Sequence, residues 1–434
     1  MKASVVALGK IGLPLAVQIA SKGHEVIGAD ISQAVVDLVN RGEVPFPGEA
    51  DLDTKLAGAI EQGLLVATTS TAEAVAASEA VIVVVPLMTD GDGTPDFRAM
   101  DAATRNIADG LQPGTLVSYE TTLPVGTTRN RFLGMLEEQT GMEGGSDFYL
   151  VHSPERVFSG RIFSDLRRYP KLVGGINEAS TQRGIEFYEA ILDFDDRPDL
   201  QRPNGVWAMD SVESAELAKL AETTYRDVNI ALANEFARFA EGASIDINEV
   251  IEASNSQPFS HIHRPGVAVG GHCIPVYPRF YLTGDPGARL VETARQVNLD
   301  VPGRVVESVA EELGGLDGET VLVLGAAYRG GVKETAYSGV FPLVDSVRLK
   351  GGKAVVSDPL YNDAELEGLG LEPWDGSEIA AVIIQSDHAE YRDLTESDLP
   401  GAKLVYDGRG IIGSDQFSAD GPALRVIGRG TSAA

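Results

Sequence analysis

The sequence is poor in cysteine and lysine and has no long apolar segment, and each shortage excludes a class of protein. Cys273 is the single cysteine among 434 residues, so no disulfide can form within the chain. The longest apolar run, residues 80–88, is far shorter than the roughly 20 residues that a membrane-spanning helix needs. The N-terminus shows no charged segment followed by an apolar signal core. We therefore expect a cytoplasmic protein that does not act in a membrane.

Positive charge is the other shortage. The chain has 64 acidic residues against 35 basic ones, a net charge of −29, and its arginines outnumber its lysines by 25 to 10. Such an acidic surface repels phosphate backbones, so nucleic acid is a poor partner. The excess of carboxylates and the few lysines favour a halophilic protein, because concentrated salt screens self-repulsion. The alternative is an ordinary acidic cytosolic enzyme.

Strand-like and helix-like patterns alternate along the chain, and 43% hydrophobic residues are enough for more than one core. This pattern predicts an α/β fold, in which two Rossmann-like, doubly wound parallel-sheet domains are joined by a long central helix. The predicted domains are residues 1–205, 206–313 and 314–434. The predicted strands are residues 4–8, 25–29, 64–68, 80–85, 116–119, 149–152, 320–324, 353–357, 381–385 and 403–406. The predicted helices include residues 211–242, 247–253, 287–312 and 338–350.

The N-terminus carries a dinucleotide-binding pattern. The first strand is followed by Gly9, Lys10, Ile11 and Gly12, and the second strand ends at Asp30. Glycines let the turn approach a pyrophosphate, the helix N-terminus attracts it, and the acid binds a ribose hydroxyl. Ala7 stands where the first glycine of the usual triplet is expected. Asp30 repels a 2′-phosphate, so we predict NAD rather than NADP as the cofactor.

Cys273 lies in a turn of glycine and proline, Gly-Gly-His-Cys-Ile-Pro-Val-Tyr-Pro, at residues 270–278. Flanking glycines allow a ligand to come close to the backbone. A thiol there, after a dinucleotide-binding N-terminus, suggests covalent catalysis coupled to hydride transfer. The alternative is that Cys273 is a small buried hydrophobic residue.

Polar residues follow two further predicted strands. Thr122 comes after strand 116–119 and could hold a nicotinamide amide or a water. For Thr127 or Thr128 of the same loop, the alternative role is a cap of the helix that follows. Glu155 and Arg156 follow strand 149–152, where a general base and a binder of an acidic ligand are possible roles. The alternative reading of Glu155 and Arg156 is a surface ion pair.

The long predicted helix carries Lys219, Thr223 and Arg226 near one face. This alignment makes an internal polar site plausible, whereas a lone lysine would extend its ammonium group to water. The helix also suggests a dimer interface. A polar loop at residues 89–95 and the pair His261 and His263 lack the spacing of metal ligands, so no metal is predicted.

With these segments assembled, the sequence resembles the nucleotide-sugar 6-dehydrogenases, the family of UDP-glucose and GDP-mannose dehydrogenases. The most specific likenesses are Ser-Pro-Glu-Arg-Val at residues 153–157, the Lys219 helix with Tyr-Arg-Asp-Val-Asn at 225–229, and Gly-Gly-His-Cys-Ile-Pro at 270–275. Within the first two, Pro-Glu-Arg-Val at residues 154–157 and Arg-Asp-Val-Asn at residues 226–229 resemble the branch that oxidises UDP-N-acetylhexosamines. The resemblance extends from residue 9 to residue 409.

The resemblance implies a four-electron oxidation of a sugar C6 alcohol to a carboxylate with two NAD. UDP-N-acetyl-D-mannosamine is the favoured substrate, with UDP-N-acetylglucosamine and UDP-glucose as alternatives, and the protein is expected to be a homodimer or a higher homo-oligomer. The implied catalytic residues are Cys273, Lys219, Glu155 and Thr122. The implied cofactor-binding residues are Gly9, Lys10, Ile11, Gly12, Asp30 and Thr122. The implied UDP-sugar-binding residues are Arg156, Val157, Lys219, Thr223, Arg226, Gly270, Tyr328 and Arg329.

Four positions depart from the family pattern. Thr223 stands where asparagine is usual, Tyr277 replaces an aspartate, Ala336 replaces an arginine for which Lys333 could substitute, and Leu87 replaces a threonine. Two other functions stay open. One is a simpler two-electron hydroxyacid or alcohol dehydrogenase, because such enzymes also join a nucleotide domain to a helical domain. The other is a non-catalytic sensor of NAD or UDP-sugar, because of the departures at Thr223, Tyr277 and Ala336.

Overall fold

The structure, a computed structural model, describes residues 1–90 and 93–430. Residues 91 and 92 of the predicted polar loop, and the last four residues of the predicted C-terminal domain, lie outside the described residues. The chain divides into two compact units, Met1–Glu222 and Thr223–Ala434.

The first unit is built on an eight-stranded sheet in the order β10-β9-β8-β7-β4-β1-β2-β3. Its strands are β1 (Lys2–Val6), β2 (Glu25–Ala29), β3 (Leu65–Thr68), β4 (Ala80–Val83), β7 (Leu116–Tyr119), β8 (Tyr149–His152), β9 (Lys171–Gly175) and β10 (Val206–Met209), and a separate hairpin contains β5 (Met88–Thr89) and β6 (Pro95–Asp96). Every pairing in the large sheet is parallel except that of β8 with β9, which is antiparallel. The predicted parallel sheet is therefore confirmed with one reversed pair.

Helices cover both faces of this sheet. They are α1 (Gly12–Ser21), α2 (Gln33–Asn40), α3 (Leu52–Glu61), α4 (Thr71–Ala76), α5 (Arg98–Gly110), α6 (Gly134–Thr140), α7 (Ile162–Arg168) and α8 (Glu178–Ile191), with a π-helical turn at Thr128–Leu133 before α6. Alternate residues of β4 divide between two cores, since Ala80 and Ile82 pack on one face and Val81 and Val83 on the other. This alternation explains why the strand is apolar at every position.

Helix α9 (Val212–Gly242) leads from the first unit into the second. Its 31 residues span about 46 Å at 1.5 Å per residue. The predicted long helix is therefore confirmed within one residue of its start.

The second unit contains a five-stranded, wholly parallel sheet in the order β12-β11-β13-β14-β15. The strands are β11 (Thr320–Leu324), β12 (Lys353–Ser357), β13 (Ala381–Ile384), β14 (Leu404–Asp407) and β15 (Ala423–Val426). The helices of this unit are α10 (Ile247–Asn255), α11 (Tyr277–Gly284), α12 (Arg289–Leu313), α13 (Val340–Leu349) and α14 (Asp363–Gly368). Two 3-10 turns lie at Ala389–Asp393 and Glu396–Asp398. Val321 and Val323 face one core while Leu322 and Leu324 face the other. The predicted second Rossmann-like sheet is confirmed.

Within residues 1–90 and 93–430, no helix combines the length and the apolar character needed to cross a bilayer.

Candidate active site

The loop between β1 and α1 is shaped by close backbone contacts. Ala7 adopts the left-handed conformation with φ 78°, which an alanine rarely adopts. A Cβ on Gly12 would lie 1.9 Å from the Ala7 carbonyl oxygen, so the position tolerates only glycine. A Cβ on Gly9, in contrast, would have no atom within 4 Å, and both Gly9 and Lys10 are exposed. The loop therefore leaves open space at the N-terminus of α1.

Asp30 lies at the end of β2 beside this loop. Its carboxylate accepts hydrogen bonds from the backbone N–H groups of Leu8 at 2.8 Å and Ser32 at 2.9 Å. Ile11 packs against the hydrophobic core and directs the chain into α1. The open N-terminus of α1, which follows the glycine-containing loop, fits the pyrophosphate of NAD, and the fixed carboxylate of Asp30 fits its ribose. The sequence-predicted cofactor residues of this loop are thus brought together.

A buried cation lies between two carboxylates at the ends of β7 and β8. The Nζ atom of Lys171 is 2.7 Å from Glu120 Oε2 and 2.9 Å from Glu155 Oε2. The Tyr188 hydroxyl donates to Glu120 Oε1 at 2.6 Å, and the ammonium group also lies over the Tyr188 ring. The side chains of Lys171 and Glu120 are almost wholly shielded from solvent, whereas 11% of the Glu155 side chain is exposed. Glu155 is therefore the member of the cluster that solvent or a substrate can reach.

The two carboxylates differ in acidity. Burial alone would raise the pKa of Glu155, but the charge and the hydrogen bond of Lys171, together with hydrogen bonds from the Arg156 N–H and Glu120, hold this pKa below its usual value. For Glu120, burial prevails over Lys171, and the charge of Glu155 adds to it, so the pKa of Glu120 is raised. Glu155 is thus the ionised carboxylate, which is the form that a general base requires.

Backbone hydrogen bonds fix the orientation of Glu155. Its Oε1 atom accepts from the Arg156 N–H at 2.7 Å, and its own N–H donates to the Glu120 carbonyl at 3.2 Å. The second bond joins the loops after β7 and β8, and the first of these loops also carries the buried Thr122. The structure thereby places Thr122 and Glu155 on adjoining loops.

Arg156 does not pair with Glu155, so the reading of these two residues as a surface ion pair is wrong. Its Nε atom lies 2.9 Å from Glu222 Oε2, and the other oxygen of Glu222 is 3.0 Å from Lys219 Nζ. Lys219 is only 8% exposed and does not extend to water. Glu222, which sequence reasoning missed, therefore connects the candidate catalytic lysine with the candidate substrate-binding arginine. Val157, by contrast, packs against the hydrophobic core.

The capping role considered for Thr127 and Thr128 is also wrong. The Thr127 hydroxyl donates to the Pro124 carbonyl, and the Thr128 hydroxyl donates to Glu216 Oε1 at 2.7 Å. Glu216 also accepts from the backbone N–H groups of Gly126 and Thr128. Burial raises the pKa of Glu216 to about 7, against the lowering effect of these hydrogen bonds. A buried acid on α9 thus holds the loop that follows Thr122.

The cysteine turn lies in the second unit, and its thiol is exposed. The reading of Cys273 as a buried hydrophobic residue is therefore wrong. Gly271 has φ +93°, and its N–H donates to the Ala336 carbonyl at 2.8 Å. A Cβ on Gly270 would lie 2.6 Å from Tyr328 Cβ, and one on Gly271 would lie 3.1 Å from the Tyr328 ring. The two glycines are needed because the turn packs directly on Tyr328.

Two arginines surround Tyr328. The Arg329 Nε atom donates to the Tyr328 hydroxyl at 3.1 Å, and the Arg329 side chain is exposed beside the cysteine turn. Arg409, whose site role was not predicted, donates to the carbonyls of Ala268 and Tyr328 at 3.4 Å each. The structure thus brings the predicted Gly270, Tyr328 and Arg329 together and adds Arg409 as their support. An exposed guanidinium at this place suits a phosphate oxygen.

The remaining candidates of this unit differ in exposure. Thr223 is 5% exposed, whereas Arg226 is exposed. Lys333, which could replace the arginine missing at Ala336, forms an ion pair with Glu365. Among the described residues, no group of three or more histidine, cysteine, aspartate or glutamate side chains could hold a metal ion.

The second unit repeats the strand-end carboxylate of the first. Asp358, directly after β12, accepts hydrogen bonds from the N–H groups of Ala326 at 2.7 Å, Ala327 at 2.9 Å and Leu360 at 2.8 Å. His388 Nε2 lies 3.2 Å from the same carboxylate. Three of these four contacts are made by Oδ2 and one by Oδ1, so Asp358 is held mainly by groups of the protein itself.

Comparison with protein families places two segments of the chain. Residues 1–192 match the NAD-binding domain of the UDP-glucose/GDP-mannose dehydrogenase family. Residues 213–300 match the central domain of the same family.

Individual relatives match over nearly the whole chain. A Pyrococcus horikoshii protein named UDP-N-acetyl-D-mannosamine dehydrogenase is 34% identical and covers 99% of this chain and 100% of its own. A Ralstonia solanacearum protein named NDP-N-acetyl-D-galactosaminuronic acid dehydrogenase is 32% identical over 96% of this chain and 97% of its own. The solved structure of the UDP-D-ManNAc dehydrogenase from Pyrococcus horikoshii superposes with a TM-score of 0.87, at 32% identity and 99% coverage of both chains.

Proposed function

The chain belongs to the UDP-glucose/GDP-mannose dehydrogenase family, and from that premise we propose that it oxidises UDP-N-acetyl-D-mannosamine at C6 to the uronate. Membership makes it an NAD-dependent oxidoreductase of nucleotide sugars. The observation that carries the four-electron reaction is the exposed thiol of Cys273 on a turn packed against Tyr328 and beside Arg329. The names of the mannosamine dehydrogenases among its relatives support the choice of sugar.

NAD supplies the hydride acceptor when it is bound, and two molecules account for the four electrons. Gly9, Lys10 and Gly12 would hold its pyrophosphate, and Asp30 a ribose hydroxyl. Ile11 would contact it through its backbone, and Thr122 would hold the amide of the nicotinamide end. The open space above Gly9 and the carboxylate of Asp30 support this assignment.

In the first oxidation, the C6 hydroxyl loses its proton and C6 loses a hydride, which leaves an aldehyde. The ammonium group of Lys219 stabilises negative charge on the oxygen as it develops. Glu155, ionised because Lys171 holds its pKa below the usual value, takes the proton through a water molecule. The shielding of Lys219 from bulk water supports its electrostatic role.

The second oxidation uses the thiol. The Sγ atom of Cys273 bonds to the aldehyde carbon, and the former carbonyl oxygen takes up the proton that the thiol releases. Loss of hydride from this thiohemiacetal, with loss of the hydroxyl proton, leaves a thioester. A water that Glu155 deprotonates, held also by Thr122, then attacks the thioester carbon. The C–S bond breaks, the thiol regains its proton, and the carboxylate is released.

Binding of the nucleotide sugar requires positively charged side chains and a surface that matches its shape. We assign the diphosphate to Arg329 and Arg226, and the sugar to Arg156, Lys219 and Thr223. The Val157 backbone and the surface formed by Gly270 and Tyr328 complete the substrate contacts. The exposure of Arg226 and Arg329 in a chain with a net charge of −29 supports the diphosphate assignment, because few cations are available to hold an anion.

The proposed reaction is tested by counting NADH. With limiting UDP-N-acetyl-D-mannosamine and excess NAD in concentrated salt, the wild type should release two NADH per sugar. The Cys273→Ser variant should release no more than one. One NADH from the wild type would support a two-electron dehydrogenase. Parallel assays with UDP-N-acetylglucosamine and UDP-glucose identify the sugar, and binding without NADH would support a sensor.

We also propose that the protein is a homodimer held by α9. Four side chains of this helix, Tyr225, Leu232, Phe236 and Phe239, are between 38% and 70% exposed. Their spacings of seven, four and three residues place them on one helical stripe. A second copy would remove this stripe from water. Light scattering should give twice the chain mass for the wild type and a lower mass for Phe239→Asp, whereas an unchanged mass would contradict the interface.

Two further parts of the proposal concern the setting of the protein. They are that the enzyme is halophilic and that it is cytoplasmic. The net charge of −29 supports the first, because concentrated salt screens the repulsion within such a surface.

A further inference from the structure

The segment that carries Cys273 is held at both ends by buried side chains. At its start, the Gly266 N–H donates to Asn234 Oδ1 at 3.0 Å. At its end, Arg295 Nη1 donates to the Pro275 carbonyl, two residues beyond the cysteine, at 3.2 Å. Residues 266–275 contain no strand or helix, so their position depends on such anchors.

The two anchors are connected by one chain of buried side chains, through two hydrogen bonds and one ion pair. Asn234 Nδ2 donates to Asn298 Oδ1 at 3.0 Å, and Asn298 Nδ2 donates to Asp227 Oδ1 at 2.9 Å. The chain closes at Arg295, whose Nε atom is 2.6 Å from Asp227 Oδ2. We call Asp227, Asn234, Arg295 and Asn298 the clamp. Its members alternate between α9 and α12, and each is at most 5% exposed.

The clamp allows one arrangement of its polar groups. Because Asn234 accepts from a backbone N–H, its amide nitrogen must face Asn298, and this orientation in turn fixes the amide of Asn298 toward Asp227. Asp227 and Arg295 are buried charges, and such a pair is stable only when both partners keep their hydrogen bonds. The planar fork of arginine reaches the carboxylate with one nitrogen and the Pro275 carbonyl with another. A shift at one end of the segment therefore disturbs the other end.

Two backbone bonds complete the support. The Val267 N–H donates to the Gly408 carbonyl at 3.0 Å, and the Gly271 N–H donates to the Ala336 carbonyl. These bonds attach the first part of the segment to other loops. Beyond Gly271, Arg295 supplies a side-chain anchor to the backbone on the far side of Cys273.

We infer that the clamp positions the Cys273 thiol for its attack on the aldehyde, so that Asp227, Asn234, Arg295 and Asn298 are positioning residues for the second oxidation. The inference rests on the proposed function of Cys273. It implies that loosening the clamp slows the second oxidation and leaves the first oxidation, which does not use the thiol, unchanged.

Arg295→Lys tests one end of the clamp. The lysine keeps the charge opposite Asp227 but has no second nitrogen for the Pro275 carbonyl. We expect the rate of the second NADH release to fall at least tenfold, while the first release and the KM for the UDP-sugar stay within twofold. The aldehyde should then accumulate and be trapped by hydroxylamine. Arg425→Lys is the matched control, because Arg425 pairs with Glu312 at the surface of the same unit.

Asn234→Ala tests the other end of the clamp, and it replaces Arg295→Lys as the test if that variant does not fold. It should produce the same selective loss, although residue 234 is on a different helix. Alkylation of the single thiol by iodoacetamide gives a readout that does not depend on catalysis, and its rate should rise at least threefold in both variants. Equal loss of both oxidations in proportion to the folded fraction, or an alkylation rate like that of the control, would overturn the inference. The proposed function is judged separately, from the NADH count of the wild type and Cys273→Ser.

Discussion

At the scale of single residues, the charge balance around Lys171 decides which group can act as a base. One buried cation faces two carboxylates, so the cluster is neutral only when one carboxyl group keeps its proton. The raised pKa of Glu120 and the lowered pKa of Glu155 assign that proton to Glu120. Lys171 thus keeps Glu155 ionised, although its own side chain is almost wholly shielded from solvent.

Lys171→Met should shift the pH dependence of acid formation. Without the ammonium group, the largest effect that lowers the pKa of Glu155 is lost and burial raises it, so the basic form appears only at higher pH. We expect the acidic limb of the kcat profile to move upward by at least one pH unit. The profile is measured from the steady-state rate at which the uronate product forms between pH 5 and 10.

Two comparison variants accompany this measurement. Lys171→Arg keeps the charge and should keep the acidic limb close to that of the wild type. Lys403→Met removes an exposed lysine that pairs with Glu319 and should leave the profile unchanged. An unshifted limb in Lys171→Met would show that Lys171 does not control Glu155.

Sequence patterns predicted Glu155 and Lys219 but not the residues that govern them. Lys171 lies 51 positions from Glu120 and 16 from Glu155, and no local spacing connects them. Glu222 is different, since it lies three residues after Lys219 on the same helix, and the i,i+3 spacing was a usable signal. The clamp residues Asp227 and Arg295 meet only through the packing of α9 on α12, which no pattern in either helix reveals.

At the scale of elements, the β1 to α1 loop offers two glycines with opposite surroundings. Gly12→Ala should destabilise the fold by on the order of 2 kcal/mol and abolish measurable NAD binding, because its Cβ would collide with the Ala7 carbonyl and Val84. Gly9→Ala has open space and should keep the stability of the wild type. Its added methyl group should still weaken NAD binding roughly tenfold, or by about 1.4 kcal/mol, if the pyrophosphate lies there.

Calorimetric titration with NAD and urea unfolding separate these two effects. Equal stability of the two variants would contradict the close contact at Gly12. Undiminished NAD binding by Gly9→Ala would contradict the place assigned to the pyrophosphate.

Most elements could be predicted from hydrophobic periodicity, because their strands are buried on both faces. The bounds of β2, β7, β8, β11 and β12 agree with the prediction to the residue. Three strands that were not predicted have weaker hydrophobic patterns. Strand β9 begins with a lysine and ends in two glycines, β10 is only partly buried, and β15 has Arg425 between apolar residues. Strands of this kind are defined by their partners in the sheet.

At the scale of the whole molecule, the net charge of −29 acts on every part of the fold. The screening length falls from about 10 Å at 0.1 M salt to about 3 Å at 1 M. We therefore expect the thermal unfolding midpoint to rise by several degrees between 0.1 M and 2 M KCl. Sucrose at equal osmolality is the control, and an equal rise in sucrose would contradict screening as the cause.

The two strand-end carboxylates have a consequence for the timing of the reaction. Asp358 accepts four hydrogen bonds from within the protein, three of them at Oδ2, whereas Asp30 accepts two from the described residues and keeps more capacity for a ribose. Of these two equivalent places, Asp30 is the better suited to a dinucleotide, whereas the proposed reaction uses two dinucleotides for each sugar. With one site, the two proposed oxidations are separated by an exchange of spent for fresh dinucleotide. The half-oxidised sugar has to outlast that interval, and a covalent bond to the protein would keep it from escaping.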